Sequence, residues 1–548
     1  MPQQQASNLK EESPPSDSRS YRVHKSNTRA ISVIFSILCG FFDKFFLSKI
    51  TSGYKRSEVT DEKVIEDFKR FDVPAKPDLK GHPAYEKAIS IANRLIFGDF
   101  KWSPVHFADT RSYDWNLASS AEEPLTSDKA LCDRIKEAHS RGELPTARCN
   151  KANTFNTAYI KFRQYVHQIK SGMIHIGTKF PATAHARSHI VSVDKPDKVR
   201  MVFGMPWLSL MIEVMFFWPL FAYLRKGLSP ILWGYETMTG GMYRLHKHLR
   251  PVMTFIMVDW KQFDKRLPYF LARRFFSAVH ERIDFTQYEA TTHYPDGKPT
   301  DPARLERLFK WMVNYYQFHP TKLPDGSIWT RRYAGEASGN LITQLIDSWV
   351  NLVVILTCLF VLDSRFNFED EEDIIKVLGD DSATFIRGVI PNLDEFRKRF
   401  AATAEDMFGF ILNEDKSVFS YSPSDIDVLG YANDAGYPKP DIEKLIAQFL
   451  MPERRVDPGR IKARALGMAY ASCGMDENFY QACKAVYDRF IDADLNFAGS
   501  EYLLYLRTQG LTVPAEFPSI EELRSRLLDS KPPDLTVGYW PDFFLRRI

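Results

Sequence analysis

Residues 340–362 read NLITQLIDSWVNLVVILTCLFVL, a stretch apolar on nearly every side. Its length and content predict a long helix buried in the protein interior, because such a helix has no face left for solvent. Thr343, Asp347 and Asn351 recur at every fourth position and share one face of that helix. Polar groups on a buried face need partners. The partners are other core groups, or a ribose or neighbouring carboxylate; the residues leave both readings open. A helix of this kind needs a large body around it, and 548 residues give a prior of about two to four packed units. With 44% hydrophobic and 26% charged residues, wholesale disorder, collagen and a multi-span membrane protein are excluded. The net charge is only +3, so any surface for a polyanion must be local.

Three shorter runs have a different character. VMTFIMV at 252–258 stops at Asp259, IIKVL at 374–378 stops at Gly379-Asp380-Asp381, and SATFI follows at 382–386. Such runs predict buried strands, the last two forming a β-hairpin with aspartates at its tip. The buried helix is entered through Gly335-Glu336-Ala337-Ser338-Gly339, where Gly339 permits close approach of the backbone to a substrate.

Towards the ends of the chain, residues 1 to about 28 are rich in Gln, Ser, Pro and charge and predict a mobile leader without a secretory signal. ISVIFSILCGFF at 31–42 is shorter than the roughly 20 residues a bilayer span needs. Ile31, Ile34, Phe35, Leu38, Phe41, Phe42 and Phe45 at helical spacing predict an amphipathic helix docked on the body, with a membrane-surface helix as the competing reading. Beyond 440 the pattern is helical, and Ser519 and Glu522 have capping-box spacing, so a helical C-terminal unit is expected. The six cysteines form no C-x-x-C pair and predict free thiols in a reducing compartment.

Asp259 and Asp380 are, singly, ordinary turn formers. If the strand ending at Asp259 pairs beside the hairpin, both carboxylates reach one sheet edge, where crowding and dehydration oppose their ionisation. Mg²⁺ relieves that conflict, and two such ions can stabilise the attacking and leaving oxygens of an in-line phosphoryl displacement. Two unrelated surface turns are the alternative.

The order D-x-x-x-x-D (Asp259, Asp264), S-G-x-x-x-T (Ser338, Gly339, Thr343) and G-D-D (Gly379, Asp380, Asp381) resembles motifs A, B and C of viral RNA-dependent RNA polymerases. The intervals are 80 residues from Asp259 to Gly339 and 41 from Gly339 to Asp380. DWKQFDKRLP at 259–268 and EASGNLITQLIDSWVN at 336–351 are most similar to partitivirus polymerases, with picobirnavirus polymerases second; matching segments run from about 185 to 435. The resemblance implies an α+β right-hand fold. Its parts would be a leader and amphipathic helix (1–60), fingers (61–250), a palm of antiparallel sheet backed by helices with an inserted finger segment (251–440), and a helical thumb (441–548).

The resemblance also implies roles. Asp259, Asp380 and Asp381 would hold two Mg²⁺ ions, with Mn²⁺ as the alternative metal, and Asp264 would sense the ribose 2′-hydroxyl. ARSHIVSVDKPDKVRMVFGMP at 186–206 resembles motif F, so Arg187, Lys198 and Arg200 would neutralise the incoming triphosphate. FGFILNEDKS at 408–417 resembles motif D, making Lys416 the general acid for pyrophosphate, and DVLGY at 427–431 resembles motif E. Ser338, Gly339 and Thr343 would line the nucleotide site. The usual Asn four residues after that Thr is Asp347 here, and Asn351 follows one turn later, so both are candidates for the ribose.

The reaction so implied is template-directed RNA synthesis for a double-stranded RNA genome, in the virion interior and the host cytoplasm. Its partners would be RNA template and product, nucleoside triphosphates and capsid protein, with no stable membrane insertion. Arg225, Lys226, Arg244, Lys247, Arg250, Lys261, Lys265 and Arg266 offer a local basic cluster for the RNA channel. A reverse transcriptase is the neighbouring alternative, opposed by the acid at 264 where such enzymes commonly carry a bulky gate. A non-catalytic, capsid-associated RNA-binding protein is the alternative of a different class, and would be indifferent to loss of the acids.

Overall fold

The computed structural model describes residues 7–15, 28–226, 229–291, 297–370, 372–453, 456–493 and 516–533, with the single positions 495, 511 and 514. The buried helix runs Thr343–Leu362, and every residue from Leu345 to Phe360 is buried. It packs against the helices Pro83–Phe97 and Leu393–Phe408 and against the strand Ile374–Leu378. Trp349 is fully buried at its centre, and its Nε1 donates to Asn93 Oδ1 at 2.9 Å. A second apolar helix, Trp207–Arg225, is buried along nearly its whole length. Both have the length and hydropathy of a membrane span, and both are enclosed by the fold.

Beside the central helix lies a four-stranded antiparallel sheet in the order Ile374–Leu378, Asp381–Arg387, Met253–Met257, Val418–Ser420. The expected hairpin is its first pair, with Gly379 and Asp380 as the turn. The expected neighbour strand pairs Ile256 with Thr384 and Phe255 with Phe385.

A five-stranded sheet follows the order Leu9–Ser13, Ile328–Arg331, Thr321–Lys322, Ala182–Ser188, Val199–Gly204, with one parallel pair between 182–183 and 321–322. The last two strands form the basic hairpin, with Arg187 directly opposite Arg200. The mixed α/β content with antiparallel sheets matches the expected fold class.

Two expectations about the chain's first sixty residues are corrected. The leader is not uniformly free of structure, because Leu9–Ser13 is an edge strand on Ile328–Arg331 and Asn8 is fully buried. An edge strand is recruited through its main chain and needs little apolar content, so composition does not reveal it. Residues 1–6 and 16–27 of that leader lie outside the described residues.

The single amphipathic helix is two: Thr28–Leu38, and Lys44–Gly53 capped by Asp43, whose side chain accepts from the N–H groups of Phe45 and Phe46. The cap starts a new helix and leaves Phe45 80% exposed, off the buried stripe. Ile34, Leu38, Leu47 and Ile50 share one apolar cluster with the C-terminal helices Ile442–Leu450, Pro458–Ala471 and Glu477–Arg489. The pair is therefore docked on the end of the chain. The short strand Tyr54–Arg56 then pairs with Ile190–Ser192 in the basic hairpin. At 520 the capping box of Ser519 and Glu522 forms as expected.

Truncating the central tryptophan removes its ring and strands Asn93, so Trp349→Ala is expected to cost about 3–5 kcal/mol of stability. Chemical denaturation of the variant against the parent checks this.

Candidate active site

The strand Met253–Met257 is buried throughout, and its backbone is caught by two hydroxyls as it leaves the sheet. Val258 N–H donates to Ser382 Oγ (3.2 Å) and Asp259 N–H to Ser417 Oγ (3.0 Å). The chain then changes partners, since Trp260–Lys261 pairs with Ile411–Leu412 in a separate two-stranded ladder. Asp259 stands at that change of direction. Its Oδ2 accepts from Asn413 Nδ2 at 2.6 Å, and its carbonyl accepts from Asn413 N–H at 2.8 Å.

The ladder pairs Thr384 with Ile256, and beyond it the Ser382 Oγ takes the Val258 N–H, so the start of the hairpin's second strand runs beside the segment that ends at Asp259. The tip itself is held from the central helix. Gly379 N–H donates to Ser348 Oγ (2.8 Å), and Asn351 Nδ2 donates to the carbonyls of Gly379 (3.0 Å) and Asp381 (3.2 Å). Asn351 Oδ1 in turn accepts from Trp260 Nε1 at 2.8 Å. One fully buried amide thus joins the residue after Asp259 to the main chain on both sides of Asp380.

The acids share an electrostatic field. Asp380 and Asp381 remain solvent-accessible, yet the surrounding protein strips enough hydration to raise both carboxyl pKa values. For Asp381, burial first and then the charges of Asp380 and Asp259 bring it to about 6. For Asp380, Arg200 opposes the upward push of burial and of Asp264 and Asp259. Across from them, Lys198 is lowered by burial and by its neighbours Arg200 and Lys416, while Asp259 and Asp380 pull it back up. Asp259, Asp380, Asp381, Asp264, Lys198, Arg200 and Lys416 therefore converge on one locality. Arg187 lies in the same hairpin, exposed and paired in register with Arg200, a like-charge pairing that needs a nearby anion to be favourable.

Three residues of the motif B segment take different positions. Ser338 is exposed at the rim. Thr343 Oγ1 lies 3.0 Å from Glu336 Oε1 and 2.8 Å from Ala337 O, so it closes the joint before the helix. Gly339 is required for a reason other than close approach to a substrate: a Cβ there would sit 1.9 Å from the Phe203 carbonyl of the basic hairpin. The two ribose candidates separate cleanly. Asn351 spends its amide on the tip and on Trp260. Asp347 keeps Oδ1 without a hydrogen-bond partner among the described residues, and burial with the charges of Asp380 and Asp264 raises its pKa well above the usual carboxylate range.

Behind Asp347 lie acids that the sequence reading did not single out. Glu336 is fully buried with Oε2 unbonded, and burial with Asp347 holds its pKa high. Glu213, in the apolar helix Trp207–Arg225, accepts Leu341 N–H at 2.8 Å on Oε2, and burial pushes it to about 8. Asn413, Ser382 and Ser417 were also missed; the signal was a small polar residue beside each acidic motif.

Of the basic cluster expected near the channel, two members are spent inside the protein. Arg244 donates to the carbonyls of Gly234 (2.8 Å), Thr239 (2.6 Å) and Asp529 (3.0 Å), and Lys265 bridges Asp67 (3.2 Å) and Asp264 (3.3 Å). Closeness in sequence to the strand does not decide which way a side chain faces.

The carboxylates suit a hard divalent cation by their chemistry: Asp380 and Asp381, raised by burial and by neighbouring acids, gain most from a nearby positive charge. Among the described residues they form a shared field and not a preassembled coordination cluster.

Glu213 keeps its proton in the fold to about pH 8, against an ordinary value of 4.5. The unfolded chain loses that proton first, so stability falls as pH rises across this window. Glu213→Gln should abolish that component: relative to the parent, the variant melts higher at pH 8 than at pH 5, measured by thermal denaturation at both.

Comparison with known proteins agrees with this geometry. The model of the family "Viral RNA-dependent RNA polymerase" matches residues 40–452. The "RNA-directed RNA polymerase" of Atkinsonella hypoxylon virus (isolate 2H) is 31% identical over 432 residues, covering 70% of this chain and 64% of the relative. The protein of the same name from White clover cryptic virus 1 (isolate Boccardo/2004) is 29% identical over 547 residues, covering 88% of this chain and 87% of the relative. Both relatives come from partitiviruses, as the resemblance in the motifs implied. The chain belongs to the viral RNA-dependent RNA polymerase family.

Proposed function

We propose that this chain catalyses template-directed RNA synthesis, attack of a nascent 3′-hydroxyl on the α-phosphate of a nucleoside triphosphate with release of pyrophosphate. The observation that carries the proposal is the convergence of Asp259, Asp380 and Asp381 at one end of the central sheet, facing Lys198, Arg200 and Lys416. Separate surface turns would not share one field.

In this reading the central sheet with its helices is the palm. The five-stranded sheet and its flanking helices are the fingers, and the helices from 442 onward are the thumb. Two divalent cations, Mg²⁺ by preference or Mn²⁺, bound by Asp259 and Asp380 with Asp381 adjoining, would supply positive charge to the attacking and leaving oxygens. The chain's own groups do the rest. Asn413 and Ser417 fix Asp259, Asn351 and Ser348 fix the tip, and the basic hairpin offsets the triphosphate charge. Lys416 stands within that field as the proton donor to pyrophosphate. Asp264, linked through its carbonyl to Glu336 N–H at 2.6 Å, and Asp347, whose Oδ1 is unbonded, would be the polar groups that meet the ribose.

Kinship with the two partitivirus relatives extends the proposal to its setting. RNA template and product, nucleotides and capsid protein would be its partners, a double-stranded RNA genome its template, and the virion interior and host cytoplasm its place.

Asp380→Asn is expected to abolish labelled-nucleotide incorporation on an RNA template while leaving RNA affinity within a few-fold, because the lost charge belongs to chemistry more than to binding. Retained incorporation removes the metal assignment. Replacement of Lys416 by Leu is expected to slow single-nucleotide incorporation by roughly 10²-fold, the scale of a lost proton donor, with Lys416→His restoring part of the rate below pH 7. Rapid-quench kinetics across pH reads both effects.

A further inference from the structure

We infer that Asn8 is the positioning residue of the nucleotide-selecting corner, holding from the far end of the sequence the segment that leads into Ser338 and indexes Asp264. The inference deepens the polymerase reading and rests on it. Asn8 is fully buried and uses every polar group it has. Its N–H donates to Asp72 Oδ1 (2.8 Å), and its Nδ2 donates to the carbonyls of Phe71 (2.6 Å) and Ala334 (3.1 Å). Its Oδ1 faces three consecutive N–H groups, those of Arg332 (3.2 Å), Tyr333 (2.9 Å) and Ala334 (3.1 Å), and its carbonyl also accepts from Arg332. A single side chain thus terminates the strand Ile328–Arg331 and supplies acceptors where the ladder stops.

The held segment leads directly to the ribose side of the site. Gly335 N–H donates to Leu267 O (2.9 Å) and Glu336 N–H to Asp264 O (2.6 Å), so two residues beyond the clamp the main chain is bonded to that of Asp264. Gly335 (φ +110°) leaves no room for displacement either, since a Cβ there would meet the Phe71 ring at 2.6 Å, and Phe71 O is one of the two acceptors of Asn8 Nδ2. Ala337, Ser338 and Gly339 follow.

In the strand that follows Asn8, Leu9 is the one buried side chain, so most of what the segment contributes is hydrogen bonding: the ladder to residues 328–331 and the Asn8 bonds to residues 332–334. Loss of the clamp should therefore be felt at the sugar more than at the carboxylates, which are held independently by Asn351, Ser348, Asn413 and Ser417.

The test uses full-length Asn8→Ala, and the protein lacking residues 1–13 with and without a synthetic peptide of residues 7–15. Asn8→Ala should raise the KM for nucleoside triphosphate roughly tenfold with kcat within a few-fold, and the preference for ATP over dATP should fall in step, the pattern of a misplaced binding contact. The peptide should restore both quantities to the shortened protein, and the same peptide with Asn8→Ala should not. Hydrogen exchange at the amides of Tyr333, Ala334 and Glu336 should quicken in Asn8→Ala, a readout independent of activity. Unchanged exchange and KM overturn the inference. A parallel loss of kcat, RNA affinity and melting temperature that the peptide does not reverse marks a scaffold only and overturns it as well. If the parent protein fails to incorporate nucleotides while exchange responds as stated, the polymerase reading fails and the clamp does not.

Discussion

Asn351 joins the two halves of the acidic site: its Oδ1 holds Trp260, the neighbour of Asp259, and its Nδ2 holds the main chain on either side of Asp380. The need for such a brace follows from electrostatics. Burial opposes the charged form of Asp381, and the charges of Asp380 and Asp259 add to the penalty. Side chains on loops would swing apart. Here Asp259 follows a buried strand and Asp380 sits in a two-residue turn, and the main chain at each is bonded to a side-chain hydroxyl, Ser417 for Asp259 and Ser348 of the central helix for Gly379, which opposes relaxation by local movement. The acidic corner is in this way held together by its surroundings against its own repulsion.

Acids also lie behind the site, in the interior. Asp347, Glu336 and Glu213 form a run of buried carboxyls behind Asp380 and Asp264, reaching to the apolar helix Trp207–Arg225, and burial raises all three. A neutral carboxyl can donate as well as accept, so these groups act as hydrogen-bonding parts of the joint before the central helix. Glu213 accepts the Leu341 N–H at the helix entrance, and Thr343 closes on Glu336. The loop with Ser338 therefore rests on a polar core, with Gly339 pressed against the Phe203 carbonyl of the basic hairpin.

The two ends of the chain close the molecule around this centre. The helices Thr28–Leu38 and Lys44–Gly53 bury their apolar stripe among the C-terminal helices, and the strand after them pairs with the basic hairpin. Arg56 ties that junction, donating to Ser188 O at 2.9 Å and to Met451 O at 3.1 Å. The hairpin that faces the acids is thus supported from both ends of the sequence. Position along the chain says little about position in the fold.

The central helix, the strand ending at Asp259 and the acidic hairpin are legible in the sequence because apolar runs of characteristic length and residue type carry strong local signals. The two first helices are half legible: the apolar spacing shows, but Asp43 as a cap inside it does not announce two helices instead of one. Asn8 and the strand at Leu9–Ser13 are illegible, since main-chain pairing and one buried amide leave no compositional trace. By itself the sequence determined which segments are helix or strand and that acids stand at their ends. Only the tertiary structure decided which polar groups are consumed in holding the site and which keep an unpartnered atom. Asn351 and Asp347 stand on one helical face, yet Asn351 is spent on partners 28 and 91 positions away while Asp347 keeps an unbonded oxygen. A hydrogen bond depends on which distant atoms arrive within 3 Å or so, and that is set by packing, not by local periodicity.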